Sequence, residues 1–159
     1  MKINKINPFN NNVETGLRML CILNESFPKS FDLQKLIYLD YLTVHSGDID
    51  KTVKSIHPSV PYRIGEIFVR RSIIQDGLNL FIKKNLIQKV YTNSGIFYKA
   101  SENSTPFLEV LEEDYFKKLK KSAKWSINKF SDMNSKSLKL YLQKYVNRIN
   151  NEFNIEILE

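Results

Sequence analysis

The sequence is short of the residue types on which most enzyme and metal chemistry is built. It holds one cysteine (Cys21), two histidines (His45, His57) and one tryptophan (Trp125) in 159 residues. A lone cysteine excludes a disulfide within the chain, and its place in an apolar helical pattern marks it as a buried thiol. Cys21 and a histidine could act as nucleophile and base only if folding brought them together. His45, Asp48, Asp50 and His57 are ligand types close in sequence, but they match no metal-binding spacing and are expected to serve the loop's own hydrogen bonds. The five glycines are scattered, so no phosphate-cradling loop is present, and no serine sits in a nucleophile turn. No apolar run approaches the roughly 20 residues needed to cross a membrane. The opening MKINKINPFNNN lacks the apolar centre of a secretory leader, so the cytoplasm is the expected location. No enzymatic activity, cofactor, metal or small-molecule substrate is expected.

What the chain does have is positive charge, unevenly placed. The formal net charge is +7. Between Arg63 and Lys99 seven basic residues stand against two acidic ones, Glu66 and Asp76, so the excess gathers there. A local excess of this kind suits nucleic acid or an acidic protein face.

Periodicity predicts a mainly α fold with a small β-hairpin. Helices are expected over Val13 to Glu25, with Asn12 as cap, and from Leu33 to about His45, with Asp32 as cap. The second is apolar nearly all round, as befits a core helix or one held between partners. A polar loop covers Ser46 to Ile56. Pro58 and Pro61 disfavour helix before themselves, so a long helix is expected to start near Tyr62, with Ile64, Ile67, Phe68, Ile74, Leu78, Phe81 and Ile82 on one side. Two short strands, Gln88 to Tyr91 and Ile96 to Lys99, flank the turn Thr92-Asn93-Ser94-Gly95. A further helix is expected from Pro106 to about Phe130 and a last one from Ser137 to Phe153. The organisation read from this is an N-terminal arm (1–12), a winged-helix-like unit (13–100) and a C-terminal helical pair (101–159), packed on the same core or on a partner.

The candidate contact residues follow from the charge map. Arg63, Arg70 and Arg71 on the long helix, Lys83 and Lys84 at its end, and Lys89 and Lys99 in the hairpin form a set able to grip phosphate or an acidic protein. Structural roles compete with this: Glu66 stands at pairing distance from Arg63 and Arg70 along the helix, and Arg71, about 100° away, could reach Asp40 inside the fold. Lys83 and Lys84 also complement a helix C-terminus. Tyr38, Tyr41 and Trp125 are interface candidates. Between Ser72 and Ile82 the long helix carries only Asp76 as a charge, which argues against base-specific readout in a DNA groove; non-specific backbone contact stays open.

Three segments carry a family resemblance. They are Val13-Glu14-Thr15-Gly16-Leu17-Arg18; Asp32-Leu33-Gln34-Lys35-Leu36 through Asp40-Tyr41 to His45-Ser46; and His57-Pro58 through Arg63-Ile64-Gly65-Glu66 to Val69-Arg70-Arg71. Together they resemble the type-two middle component of bacterial ABC-three-component systems, the group that includes the Lamassu type. The resemblance spans residues 8–87, continues loosely through the hairpin and fades to a helical pattern beyond residue 100. It implies a non-catalytic adaptor encoded beside an SMC-like ABC ATPase and an effector, often a nuclease, in defence against phage and plasmids. No catalytic residues carry over. A winged-helix DNA-binding transcriptional regulator is the alternative.

Overall fold

The computed structural model describes residues 11–58 and 63–145. Residues 1–10 of the expected arm (1–12), the helix start at Tyr62 and the part of the last helix beyond residue 145 lie outside these. The chain is mainly helical, with one small antiparallel sheet.

The first helix, α1 (Asn12–Glu25), is capped by Asn11, whose side chain accepts from the Glu14 amide at 2.8 Å. Asn12, the expected cap, is instead the first helical residue. Either asparagine has the right chemistry, and Asn11 is the one with extended backbone (φ −87°, ψ 164°). Every residue from Glu14 to Leu23 is buried. α1 is therefore the central element, enclosed by the other helices.

Phe31–Asp32 forms a short strand, β1, which no local pattern in the sequence marks. Asp32 then caps α2 (Leu33–Val44) as expected, accepting from the Lys35 amide at 2.7 Å. A single helical turn, α3 (Ser46–Ile49), opens the segment predicted to be loop. The long helix α4 (Arg63–Lys83) packs mainly on α1. Asn85 closes it in the left-handed region at φ 58°, where the Leu86 amide bonds back to the Phe81 carbonyl at 3.1 Å. Strands β2 (Ile87–Thr92) and β3 (Gly95–Ala100) follow, joined by the two-residue turn Asn93-Ser94. Gly95 sits at φ 123°, a conformation that disfavours any side chain. β1 adds to the free side of β3 (Phe31 opposite Tyr98), so the hairpin becomes a three-stranded sheet in the order β1-β3-β2.

The helix expected from Pro106 to Phe130 is two helices, α5 (Ser104–Glu109) and α6 (Asp114–Phe130). Lys120 of α6 reaches back to cap the end of α5, donating to the Leu108 carbonyl at 2.6 Å and the Leu111 carbonyl at 3.3 Å. Glu112, Glu113 and Asp114 then fall at the start of α6, where acidic side chains suit the helix dipole. The α6 stripe Leu119, Ala123, Ile127 and Phe130 is buried as its spacing requires. Small residues bring α6 close to α2: Ser126 bonds Thr43 at 2.8 Å and Ser122 donates to the Thr43 carbonyl. Residues 135–145 are helical (α7), started by the Asn134 side chain accepting from the Ser137 amide at 2.8 Å. Leu138 and Leu142 of α7 join the same apolar core as α1, α2 and α4.

Candidate functional site

The centre of the fold holds a charged network that links α1, α2, α4, α6 and the segment before α4. Asp40 on α2 is fully buried between two guanidinium groups. Arg18 on α1 meets it with two donors, Nε to Oδ1 at 2.7 Å and Nη2 to Oδ2 at 3.2 Å. Arg70 on α4 donates from Nη1 to the same Oδ2. The remaining side of Arg18 pairs with Glu14, one turn earlier, at 2.8 Å. Glu14 also accepts from the Tyr115 hydroxyl, and His57 Nε2 lies 3.5 Å from both Glu14 Oε1 and the Tyr115 oxygen. Two arginines thus face two carboxylates, and no net charge is buried by these four. That balance is the condition for tolerating ions in a low-dielectric interior.

The titration behaviour follows from the pairing. Burial pushes the Asp40 carboxyl up, but Arg18 and Arg70 outweigh it and hold the pKa at about 2, against an ordinary 3.8. Burial works on Glu14 in the same direction and is overcome by the hydrogen bond from His57, the charge of Arg18 and the Tyr115 hydroxyl, so it too is lowered. Burial, and then the carboxylate it donates to, push the Tyr115 phenol well up. The Cys21 thiol is driven by burial to about 12, which fits an inert core side chain.

Depressed carboxylate pKa values make stability fall with acid. In the unfolded chain both groups protonate near pH 4, and in the folded protein they resist until lower pH, so the unfolded state binds more protons in between. Asp40 alone, with its shift from 3.8 to about 2, contributes on the order of 2 kcal/mol that is present above about pH 5 and lost as pH falls toward 2. Urea midpoints should therefore decline steeply below about pH 4. A flat midpoint across that window would remove the network from the stability of the fold.

The network corrects the sequence expectation in one important place. Arg70, expected to face outward with Arg71, is 6% exposed and turned onto Asp40, its guanidinium 6.0 Å from the Tyr41 ring centre. Arg71, the candidate partner of Asp40 on sequence grounds, is the one on the surface, donating to Gln34 at 3.2 Å. The two differ by one residue and hence by about 100° around the helix, and the register of α4 on α1 decides which points in. The Arg63 side chain lies outside the described residues. Tyr41, an interface candidate, is buried, and its hydroxyl donates to Asp48 at 3.2 Å. Tyr38 is 7% exposed. Trp125 is half-buried, edge-on to Phe130 at 5.8 Å, which in turn meets Tyr141 of α7 at 5.2 Å.

The lysines are dispersed around the hairpin. Lys83, Lys84 and Lys89 are exposed and Lys99 is half-buried. Lys89 pairs with Tyr98 and Lys99 with Gln88, so strand alternation puts the two hairpin lysines on opposite faces. On the face shared by Ile87, Tyr98 and Ala100, the apolar side chains continue past the core to the exposed pair Tyr91 and Ile96.

Sequence reasoning missed Glu14, Arg18 and, as the hub, Asp40. The available signal was a charge inside an otherwise apolar helix: Arg18 interrupts the α1 stripe and Asp40 the all-round apolar α2. Such a residue must be paired if it is buried. All three segments that carried the resemblance contribute to the network, through Glu14 and Arg18, through Asp40, and through His57 and Arg70. Among the described residues no cluster of three or more His, Cys, Asp or Glu side chains is placed to hold a metal ion, and no helix is long and apolar enough to cross a membrane.

Comparison with known families places residues 8–152 within a match to the ABC-three component (ABC-3C) system Middle Component 2. No curated protein and no solved structure matches the chain.

Proposed function

We infer function from kinship: the chain belongs to the Middle Component 2 family of ABC-three component systems, and so is one component of a multi-component system. We propose that it is a non-catalytic adaptor in a defence complex of the Lamassu-like kind. In this role it links an SMC-like ABC ATPase to an effector subunit, often a nuclease. The observation that carries the proposal is the family match over nearly the whole chain. The fold supports it by committing its buried ions to joining helices, while Arg71, Lys83, Lys84 and Lys89 remain outside for contact.

The test is co-purification of the full chain with the products of the adjoining genes. Retention of an ABC ATPase supports the adaptor, and a chain indifferent to it removes the idea. Salt-sensitive binding to one promoter sequence would instead favour the winged-helix regulator, while weak binding without sequence preference fits contact with DNA inside the complex.

The two neighbouring arginines should separate cleanly. Arg71→Glu is a surface change, expected to move stability by no more than about 0.5 kcal/mol. Arg70→Glu puts a carboxylate against Asp40 and should cost roughly 3–5 kcal/mol or more. Urea denaturation of the two variants checks this, and equal losses would overturn the assignment of inner and outer arginine.

A further inference from the structure

A groove of about 560 Å³ opens between the first half of α2, the first half of α4 and α7. Its floor is apolar, with Ile37, Tyr38 and Leu142 each largely covered by the core behind them. Its rim carries Arg71, Lys136 and Lys139, all exposed. Among the described residues that line it there is no carboxylate. Among the described residues none forms an ion pair with these three cations. Three like charges brought together around an apolar trough repel one another, and an acidic occupant would relieve that repulsion.

The dimensions indicate what kind of occupant fits. The α7 wall runs from Ser135 to Gln143, eight steps at about 1.5 Å, or roughly 12 Å of helix. That is a little over two turns, the length presented by apolar anchors at i, i+3, i+4 and i+7 on an incoming helix. We propose that this groove receives an amphipathic helix with an acidic outer face, contributed by another subunit of the assembly. The proposal rests on the adaptor reading for the source of that helix, and on the groove alone for its chemistry.

The experiment has one arm for each. In the first, the full chain is titrated by fluorescence anisotropy with a peptide of about 14 residues carrying leucines at those four positions and glutamates elsewhere, and with a twin carrying lysines instead. The acidic peptide should bind at least about tenfold more tightly than the basic one, with the preference shrinking in high salt. Lys136→Glu combined with Lys139→Glu should abolish or invert the preference, and Lys136→Gln with Lys139→Gln should reduce it without introducing new charge. Equal binding of both peptides, or an unchanged preference in these variants, overturns the proposal. So does a gain of about tenfold for the acidic peptide when Glu152, Glu156 and Glu159 are changed to Gln, because the groove would then belong to the chain's own C-terminal residues. A wild-type dimer that the glutamate variant dissociates would assign the groove to a second copy and overturn the proposal equally.

In the second arm, the glutamate variant carrying Arg71→Glu as well should lose a neighbouring subunit that the wild-type chain retains on co-purification. If it keeps every subunit, the groove proposal fails and the adaptor reading stands. If the wild-type chain itself retains none, the adaptor reading fails and the peptide arm still decides what the groove accepts.

Discussion

Asp40→Asn should be among the most damaging single substitutions in this protein. It keeps the shape of the side chain and removes the charge that two buried guanidinium groups share. Arg18 retains Glu14 at 2.8 Å, whereas Arg70 loses the buried carboxylate that it shares with Arg18. Removing one partner of a buried ion pair costs roughly 3–5 kcal/mol, a large part of the 5–15 kcal/mol by which a typical domain is stable. In a chain of this size that amounts to a fall of about 10 °C or more in melting temperature. The charge count makes a sharper claim. Pairing Asp40→Asn with Arg70→Met removes both ends of one contact and leaves Glu14 and Arg18 to balance each other among these four groups. The double variant should lose clearly less than the sum of the two single losses, because both changes remove the same contact. If the two losses simply add, the carboxylate is not the counter-ion that the geometry makes it.

Gly77→Ala should also destabilise strongly, against the intrinsic preference of helices. In an exposed helix the change would gain about 1 kcal/mol. Here a Cβ on Gly77 would stand 2.8 Å from the Gly16 nitrogen and 3.2 Å from both the Gly16 Cα and the Asn12 carbonyl oxygen, all backbone atoms of α1. Neither helix can yield locally, so α1 and α4 must separate, and the packing around Ile74, Leu78 and Phe81 loosens with them. Overpacking of this kind costs roughly 1–3 kcal/mol. Because the Arg70–Asp40 contact spans α4 and α2, separation also strains the network. A calorimetric melting temperature for Gly77→Ala equal to or above that of the parent would mean that the two helices do not meet backbone to backbone.

These two sites show why only part of the molecule is legible in the sequence. The α6 stripe, the Asp32 cap and the hairpin register each depend on residues close together in the chain, and their spacing carries the information. Lys120 capping α5, or β1 closing onto β3, depends on segments that meet only when the core forms. The candidate contact set suffered in the same way. A helical wheel separates Arg70 from Arg71 by about 100° but does not say which direction is inward, and α4 is apolar enough to bury more than one face.

The sequence alone determined that this would be a mainly helical chain with a small antiparallel hairpin, an inert cysteine, a positive excess between Arg63 and Lys99, and a kinship with middle components. The kinship was carried by three short matching segments, and the rest are properties of composition or of local spacing. Only the tertiary structure decided that α1 is the central helix, that Glu14, Arg18, Asp40 and Arg70 neutralise one another inside, and that Arg71 joins two lysines from α7 around an apolar groove. The physical reason is common to all three. A charge is inexpensive on the surface and costly in the interior unless it is paired, and its partner comes from a distant segment whose position is set by the packing of the whole.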